Sequence, residues 1–108
     1  MTVGQVIVVI TLLANMYGRS PEQMQCIVYY ESSFNPAATN GIHIGLGQYN
    51  PDTYAWWQSI AAQDASFPHR DIVAQNGPDD PVAALALMMW AFNRGYADHW
   101  QTLSLCQE

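Results

Sequence analysis

Apolar residues near the start of the chain recur three or four positions apart. Val6, Ile10, Leu13 and Tyr17 have this spacing, which places them on one face of a helix. Gly18 follows them and is a typical helix terminator. The apolar run is too short to span a bilayer, which needs about 20 such residues, and it lacks the basic flank and cleavage site of a signal peptide. We therefore expect a core helix here, with any export signal removed or export by another route.

Three later helices are predicted where a polar residue precedes proline, at Ser20-Pro21, Asn50-Pro51 and Asp80-Pro81. In each pair the polar side chain can cap the first turn, and proline fits the first helical position. The first of these helices should end near residue 33, because the residue before Pro36 disfavours the α conformation.

The rest of the chain predicts connectors and short elements. Residues 40–50 are glycine-rich and predict an irregular loop or a short strand. Residues 66–78 predict a connector with one helical turn, and a short helix is expected near Trp100. The fold class is therefore mainly α, with about five to six helices, and residues 1–108 are expected to form a single domain.

Charge excludes some partners. The net charge is −6, with three arginines and no lysine, which argues against nucleic-acid binding, since such binding needs basic side chains on phosphates. It also argues against adhesion to anionic membranes. The three histidines are scattered in sequence, so no metal site and no other cofactor is expected.

Two cysteines, Cys26 and Cys106, lie near opposite ends of the chain. A disulfide between them would close a long loop and stabilise the fold by roughly 4 kcal/mol, and it would suit an exported protein. The alternative is two buried free thiols in a cytosolic protein.

One carboxyl group falls on an apolar helix face. Met24, Ile27, Val28 and Glu31 occupy positions i, i+3, i+4 and i+7, which share a face. An apolar setting favours the protonated form of a carboxyl group, and a protonated carboxyl can act as a general acid. Alternatively, the stem of Glu31 packs on the core while its carboxylate reaches water.

Three separated segments resemble motifs of one enzyme family. Residues 27–37 read Ile-Val-Tyr-Tyr-Glu-Ser-Ser-Phe-Asn-Pro-Ala, residues 45–48 read Gly-Leu-Gly-Gln before Pro-Asp-Thr at 51–53, and residues 91–95 read Ala-Phe-Asn-Arg-Gly. Their order and spacing resemble the soluble lytic transglycosylase and goose-type lysozyme-like family, which cuts the glycan strands of bacterial peptidoglycan. The resemblance covers most of the chain and implies a lysozyme-like fold.

The resemblance also implies roles for individual residues. Glu31 matches the catalytic glutamate of the family. The residues expected to bind the glycan are Ser32, Gly45, Gln48, Tyr49, Phe92 and Asn93. Gln48 and Asn93 would bond N-acetyl or hydroxyl groups, and the backbone at Gly45 and Gly47 would let a sugar approach closely.

Two positions depart from the family pattern. Gly47 replaces a methionine, so the cleft is expected to be wider or more mobile there. Phe92 replaces a tyrosine whose hydroxyl would bond the catalytic carboxyl. Tyr30, Tyr49 or Tyr96 could supply that hydroxyl instead.

Three functions remain open on the sequence. In a lytic transglycosylase, Glu31 acts as acid and then as base, and the sugar's own 6-hydroxyl closes a 1,6-anhydro ring. In a hydrolytic lysozyme, Asp52 would assist as a second carboxylate, although Asp52 also suits the first turn of a helix. An inactive glycan-binding or structural component of a virion or secretion machine is the third.

We expect the protein to be a monomer that is extracytoplasmic or associated with a phage virion. An acidic protein gains no long-range attraction to an anionic cell wall, so its charge suits delivery close to the substrate.

Overall fold

The computed structural model describes residues 1–107, and helices dominate it. The five α-helices are α1 (Val3–Tyr17), α2 (Pro21–Ser32), α3 (Pro51–Ala61), α4 (Arg70–Gln75) and α5 (Pro81–Asn93). Two 3₁₀ turns, Ala97–His99 and Gln101–Leu105, follow α5. The predicted mainly α class is confirmed. Within residues 1–107, no helix combines the length and the apolar character needed to cross a membrane.

The helix starts follow the capping chemistry predicted from the sequence. The side chains of Ser20, Asn50 and Asp80 each accept a hydrogen bond from a backbone N–H in the first turn, which satisfies a donor that has no partner inside the helix. Gly18 ends α1 with a left-handed φ of 71°. Ser33 ends α2 in the same region, with φ 53°.

Helix α5 forms the centre of the molecule. Every residue from 83 to 92 is buried, so this helix is surrounded on all sides by other elements. α1, α3 and α4 pack against α5, while α2 packs against α1. This arrangement leaves the end of α2 at the surface, where Glu31 lies.

The segment between α2 and α3 is an irregular loop, as predicted for residues 40–50. Isolated bridges pair Thr39 with Ile44 and Ile44 with Tyr49, and no strand forms in the described part of the chain. Tyr49 is fully buried, and its hydroxyl donates to the carbonyl oxygen of Ala84 at 2.6 Å. The loop is thereby attached to α5.

A disulfide joins Cys26 on α2 to Cys106, with the two Cα atoms 5.7 Å apart. The pairing left open by the sequence is therefore present. Because the residues between Ala97 and Leu105 form only short 3₁₀ turns, the disulfide is the covalent attachment that holds this last segment against α2.

Candidate active site

A surface cleft of about 460 Å³ opens beside the end of α2. Three parts of the chain form it: α2, the loop at residues 40–48 and the segment at residues 99–102. The lining residues are Glu31, Asn40, His43, Gln48, His99, Trp100, Gln101 and Thr102. The structure thus brings Glu31 and Gln48 into one site, as expected from the sequence.

Glu31 lies in the last turn of α2 and is partly buried. The hydroxyl of Thr102 donates a hydrogen bond to its Oε2 atom at 2.6 Å, a length typical of a strong bond to a carboxyl oxygen. This contact fixes one carboxyl oxygen and leaves Oε1 available to a ligand.

Gln48 is held by the loop that carries it. Its amide Nε2 donates to the carbonyl oxygens of Ala38 and Gly45 at 3.0 and 2.9 Å. Both amide protons are thereby used, so the side-chain oxygen Oε1 remains as an acceptor for a hydroxyl or N–H group of a ligand.

His43 has a defined tautomer because Asn40 orients it. The Oδ1 atom of Asn40 accepts from the backbone N–H groups of Ile42 and His43 at 2.9 and 2.8 Å. The amide nitrogen of Asn40 must therefore face Nδ1 of His43, 3.2 Å away. As an acceptor, Nδ1 carries no proton, so the neutral ring bears its proton on Nε2.

His99 lies against two indole rings. Its ring centroid is 4.9 Å from that of Trp57 and 4.9 Å from that of Trp100, both in edge-to-face geometry. Burial lowers the pKa of His99, and the neighbouring His43 lowers it further. Trp100 is itself fixed, because its indole N–H donates to the carbonyl oxygen of Gly47 at 2.9 Å.

The two glycines of the second motif serve packing. A Cβ atom on Gly45 would lie 1.9 Å from the carbonyl oxygen of Pro78, so glycine permits a close backbone approach there. A Cβ atom on Gly47 would lie 2.7 Å from the ring of Tyr49 and 3.1 Å from Met88. The side-chain direction at Gly47 thus points into the core, and the expected widening of the cleft at this position is wrong.

Five residues expected to contact substrate do not line the Glu31 cleft. Gly45 is one of them, and the other four are the buried Ser32, Tyr49 and Phe92 and the exposed Asn93. Ser32 donates its hydroxyl to the carbonyl oxygen of Val28 at 3.0 Å. Tyr49 is engaged with α5, as described above. Phe92 is 5% exposed and packs against Trp100 with ring centroids 5.3 Å apart. Tyr49 and Phe92 both pack against Trp100, so they support one wall of the cleft from the core side.

The fourth, Asn93, lies in a second hollow of about 200 Å³ at the far end of α1, together with Tyr17, Trp90 and Arg94. Its amide donates to the carbonyl oxygen of Tyr17 at 3.0 Å and accepts from Arg19 at 3.2 Å. Both ends of this amide are already paired within the protein.

The hydroxyl beside Glu31 comes from a residue that sequence reasoning missed. Tyr30 is exposed and packs on Tyr29, and Tyr96 stacks on Trp57 with centroids 5.5 Å apart. None of the three candidate tyrosines lines the cleft, and Thr102 occupies the expected position instead. The missed lining residues are Asn40, His43, His99, Trp100, Gln101 and Thr102.

A signal for Thr102 existed in the sequence. Cys26 precedes Glu31 by five residues, and Cys106 follows Thr102 by four. A disulfide between the cysteines places the last segment beside α2, so pairing them would have brought Thr102 near Glu31.

Asp52, the other candidate carboxylate, is exposed in the first turn of α3 and does not line the cleft. No cluster of three or more His, Cys, Asp or Glu side chains suited to a metal ion occurs within the described residues.

Comparison with protein-family models, with curated proteins and with solved structures gave no match. The Glu31 cleft and the three motifs are therefore the features that indicate a function.

Proposed function

We propose that this chain is a lytic transglycosylase with a lysozyme-like fold. It cleaves the β-1,4 bond between N-acetylmuramic acid and N-acetylglucosamine in peptidoglycan, with Glu31 as proton donor. The observation that carries the proposal is the hydrogen bond from Thr102 to Oε2 of Glu31 at 2.6 Å, at the wall of an open cleft. It orients a carboxyl group toward a space that a sugar chain can enter.

Orientation of the carboxyl group supports general acid catalysis. Because Thr102 donates to Oε2, the proton of the neutral acid resides on Oε1, which is free to face the glycosidic oxygen. After transfer, the same hydroxyl stabilises the carboxylate that forms, because hydrogen bonds to ionised acceptors are the stronger ones. A positioned acid of this kind contributes about 10²- to 10⁴-fold to the rate.

The number of carboxylic acids in the cleft favours the transglycosylase over the hydrolase. Among the residues lining the cleft in the described part of the chain, Glu31 is the only carboxylic acid. Hydrolysis by the usual two-carboxylate route requires a second one across the sugar. Transglycosylation needs no second carboxylate, since the 6-hydroxyl of the sugar is the nucleophile.

The polar groups on the other walls of the cleft suit an N-acetylated sugar. Gln48 offers an amide oxygen, Gln101 a full amide, and His43 an Nε2–H donor. Such groups pair with the hydroxyl and acetamido groups of a glycan. The cleft volume of about 460 Å³ lies within the range of ligand sites.

The disulfide is consistent with an oxidising compartment, and we propose an extracytoplasmic or virion-associated location. The net charge of −6 gives no long-range attraction to anionic cell wall, so delivery close to the substrate would suit a monomer of this kind.

The decisive experiment is digestion of purified peptidoglycan, followed by mass spectrometry of the soluble muropeptides. Anhydro ends are expected; reducing ends, each heavier by one water, would indicate the hydrolase. Glu31→Gln should lower the rate at least about 100-fold. Glu22→Gln is the matched control, because Glu22 is exposed at the opposite end of the same helix. Absence of soluble products from the unmodified protein would refute the activity and leave the binding or structural alternative.

A further inference from the structure

The Glu31 cleft contains two imidazoles, those of His43 and His99. We propose that His99 is a second catalytic residue, the general base that accepts the proton of the attacking hydroxyl. This inference rests on the proposed function and divides between two residues the two proton transfers that a single glutamate would otherwise perform.

The contacts of His99 leave its ring nitrogens free to accept a proton. Within residues 1–107, neither nitrogen of its ring has a hydrogen-bond partner in the protein. The ring is held instead by edge-to-face contacts with Trp57 and Trp100. Packing therefore restricts the orientation of the ring while both nitrogens stay free for a ligand.

The protonation state agrees with this role. Partial burial against the indoles and the proximity of His43 both lower the pKa of His99, so the neutral ring predominates at pH 7 and can accept a proton. The titratable groups around it are Glu31 and His43 on the other walls of the cleft and Asp98 on its own turn. Helix α3, which contributes Trp57, places no charged side chain in the cleft.

His43 is less suited to the same task. Its Nδ1 atom accepts a hydrogen bond from Asn40, and its Nε2 atom therefore carries the proton. In this tautomer it can donate to the sugar, but accepting a proton would break the contact with Asn40. The structure thus assigns donation to His43 and proton acceptance to His99.

The proposed step is balanced in protons and bonds. Protonated Glu31 gives its proton to the glycosidic oxygen, and the bond between that oxygen and the anomeric carbon breaks. The oxygen of the 6-hydroxyl bonds to the anomeric carbon, and its proton passes to the ring nitrogen of His99. The imidazolium then returns the proton through water to the Glu31 carboxylate, which restores both groups.

The test compares two variants of His99 on peptidoglycan. His99→Phe keeps an aromatic ring against Trp57 and Trp100 but removes the base, while His99→Ala opens space for added imidazole. His69→Gln is the control, because His69 lies outside the cleft and bonds the hydroxyl of Tyr17. Circular dichroism and thermal melting establish that each variant is folded.

We expect His99→Phe to lower the turnover number about 10²- to 10⁴-fold, and imidazole to restore part of the activity of His99→Ala. Because the pKa of His99 is lowered, kcat/KM of the unmodified protein should fall with acid at a pH below the ordinary imidazole pKa of about 6.5, and this acid limb should be missing in His99→Phe. A folded His99→Phe that keeps the limb, or that loses less than about threefold in rate, would overturn the assignment while leaving the proposed function standing. An inactive unmodified protein would refute both together.

Discussion

Removing the disulfide tests how the cleft is held together. Cys26 and Cys106 are separated by 80 residues. In the chain-entropy model, a cross-link over a loop of this length removes about 4.5 kcal/mol of conformational freedom from the unfolded state. Domains of this size have free energies of unfolding of only about 5–15 kcal/mol, so the disulfide represents a large share of the stability.

The perturbation is the double variant Cys26→Ala/Cys106→Ala, which avoids leaving a single reactive thiol. Its free energy of unfolding should fall by about 4.5 kcal/mol, and its melting temperature by about 20 °C for a chain of this length. Urea denaturation is the suitable assay, because the slope with denaturant should also rise as the unfolded chain becomes less compact.

The control is the unmodified protein in the presence and absence of a reductant, which should reproduce the difference between the double variant and the oxidised form. A loss below about 1 kcal/mol, with an unchanged slope, would refute the loop-closure reasoning. It would mean that packing of the last segment on α2, rather than the cross-link, determines its attachment.

Two further substitutions probe the site and the loop that supports it. Thr102→Val removes the hydrogen-bond donor to Glu31 and should lower the turnover number about tenfold, as expected for losing a bond worth about 1.5 kcal/mol. Thr102→Ser keeps the hydroxyl and should retain activity. Equal rates for the two variants would show that this hydrogen bond does not contribute to catalysis. Gly45→Ala should destabilise the fold by about 3 kcal/mol or more in urea denaturation, because its φ is 80° and the new Cβ would meet a backbone oxygen at 1.9 Å. Gly41→Ala, with φ 92° but open space around it, should cost only about 1 kcal/mol, and similar losses at both positions would contradict the steric argument.

Local chemistry made the helices predictable. A cap and a following proline act within one turn, so Ser20, Asn50 and Asp80 could be identified as helix starts without knowing what the helices pack against. Glu31 could be placed for the same reason, since helical spacing alone puts it on the face that carries Met24 and Ile27.

The far wall of the cleft depends on contacts between distant parts of the chain. Trp100 reaches the loop through the carbonyl oxygen of Gly47, 53 residues away, and Thr102 reaches Glu31 across 71 residues. No local pattern encodes such contacts. Asn93 illustrates the reverse case: its motif identified a position in the chain, but the side chain faces the other hollow, where Tyr17 and Arg19 pair with it.

The separation between Glu31 and Thr102 also affects when the site can exist. During synthesis, Glu31 leaves the ribosome 71 residues before Thr102. The thiols of Cys26 and Cys106 must then be oxidised before the disulfide can hold the two chain segments together. Before the disulfide forms, only non-covalent packing of the last segment on α2 holds Thr102 beside Glu31. Under the proposed function, this order of assembly would make the site most stable only after the chain has reached an oxidising space.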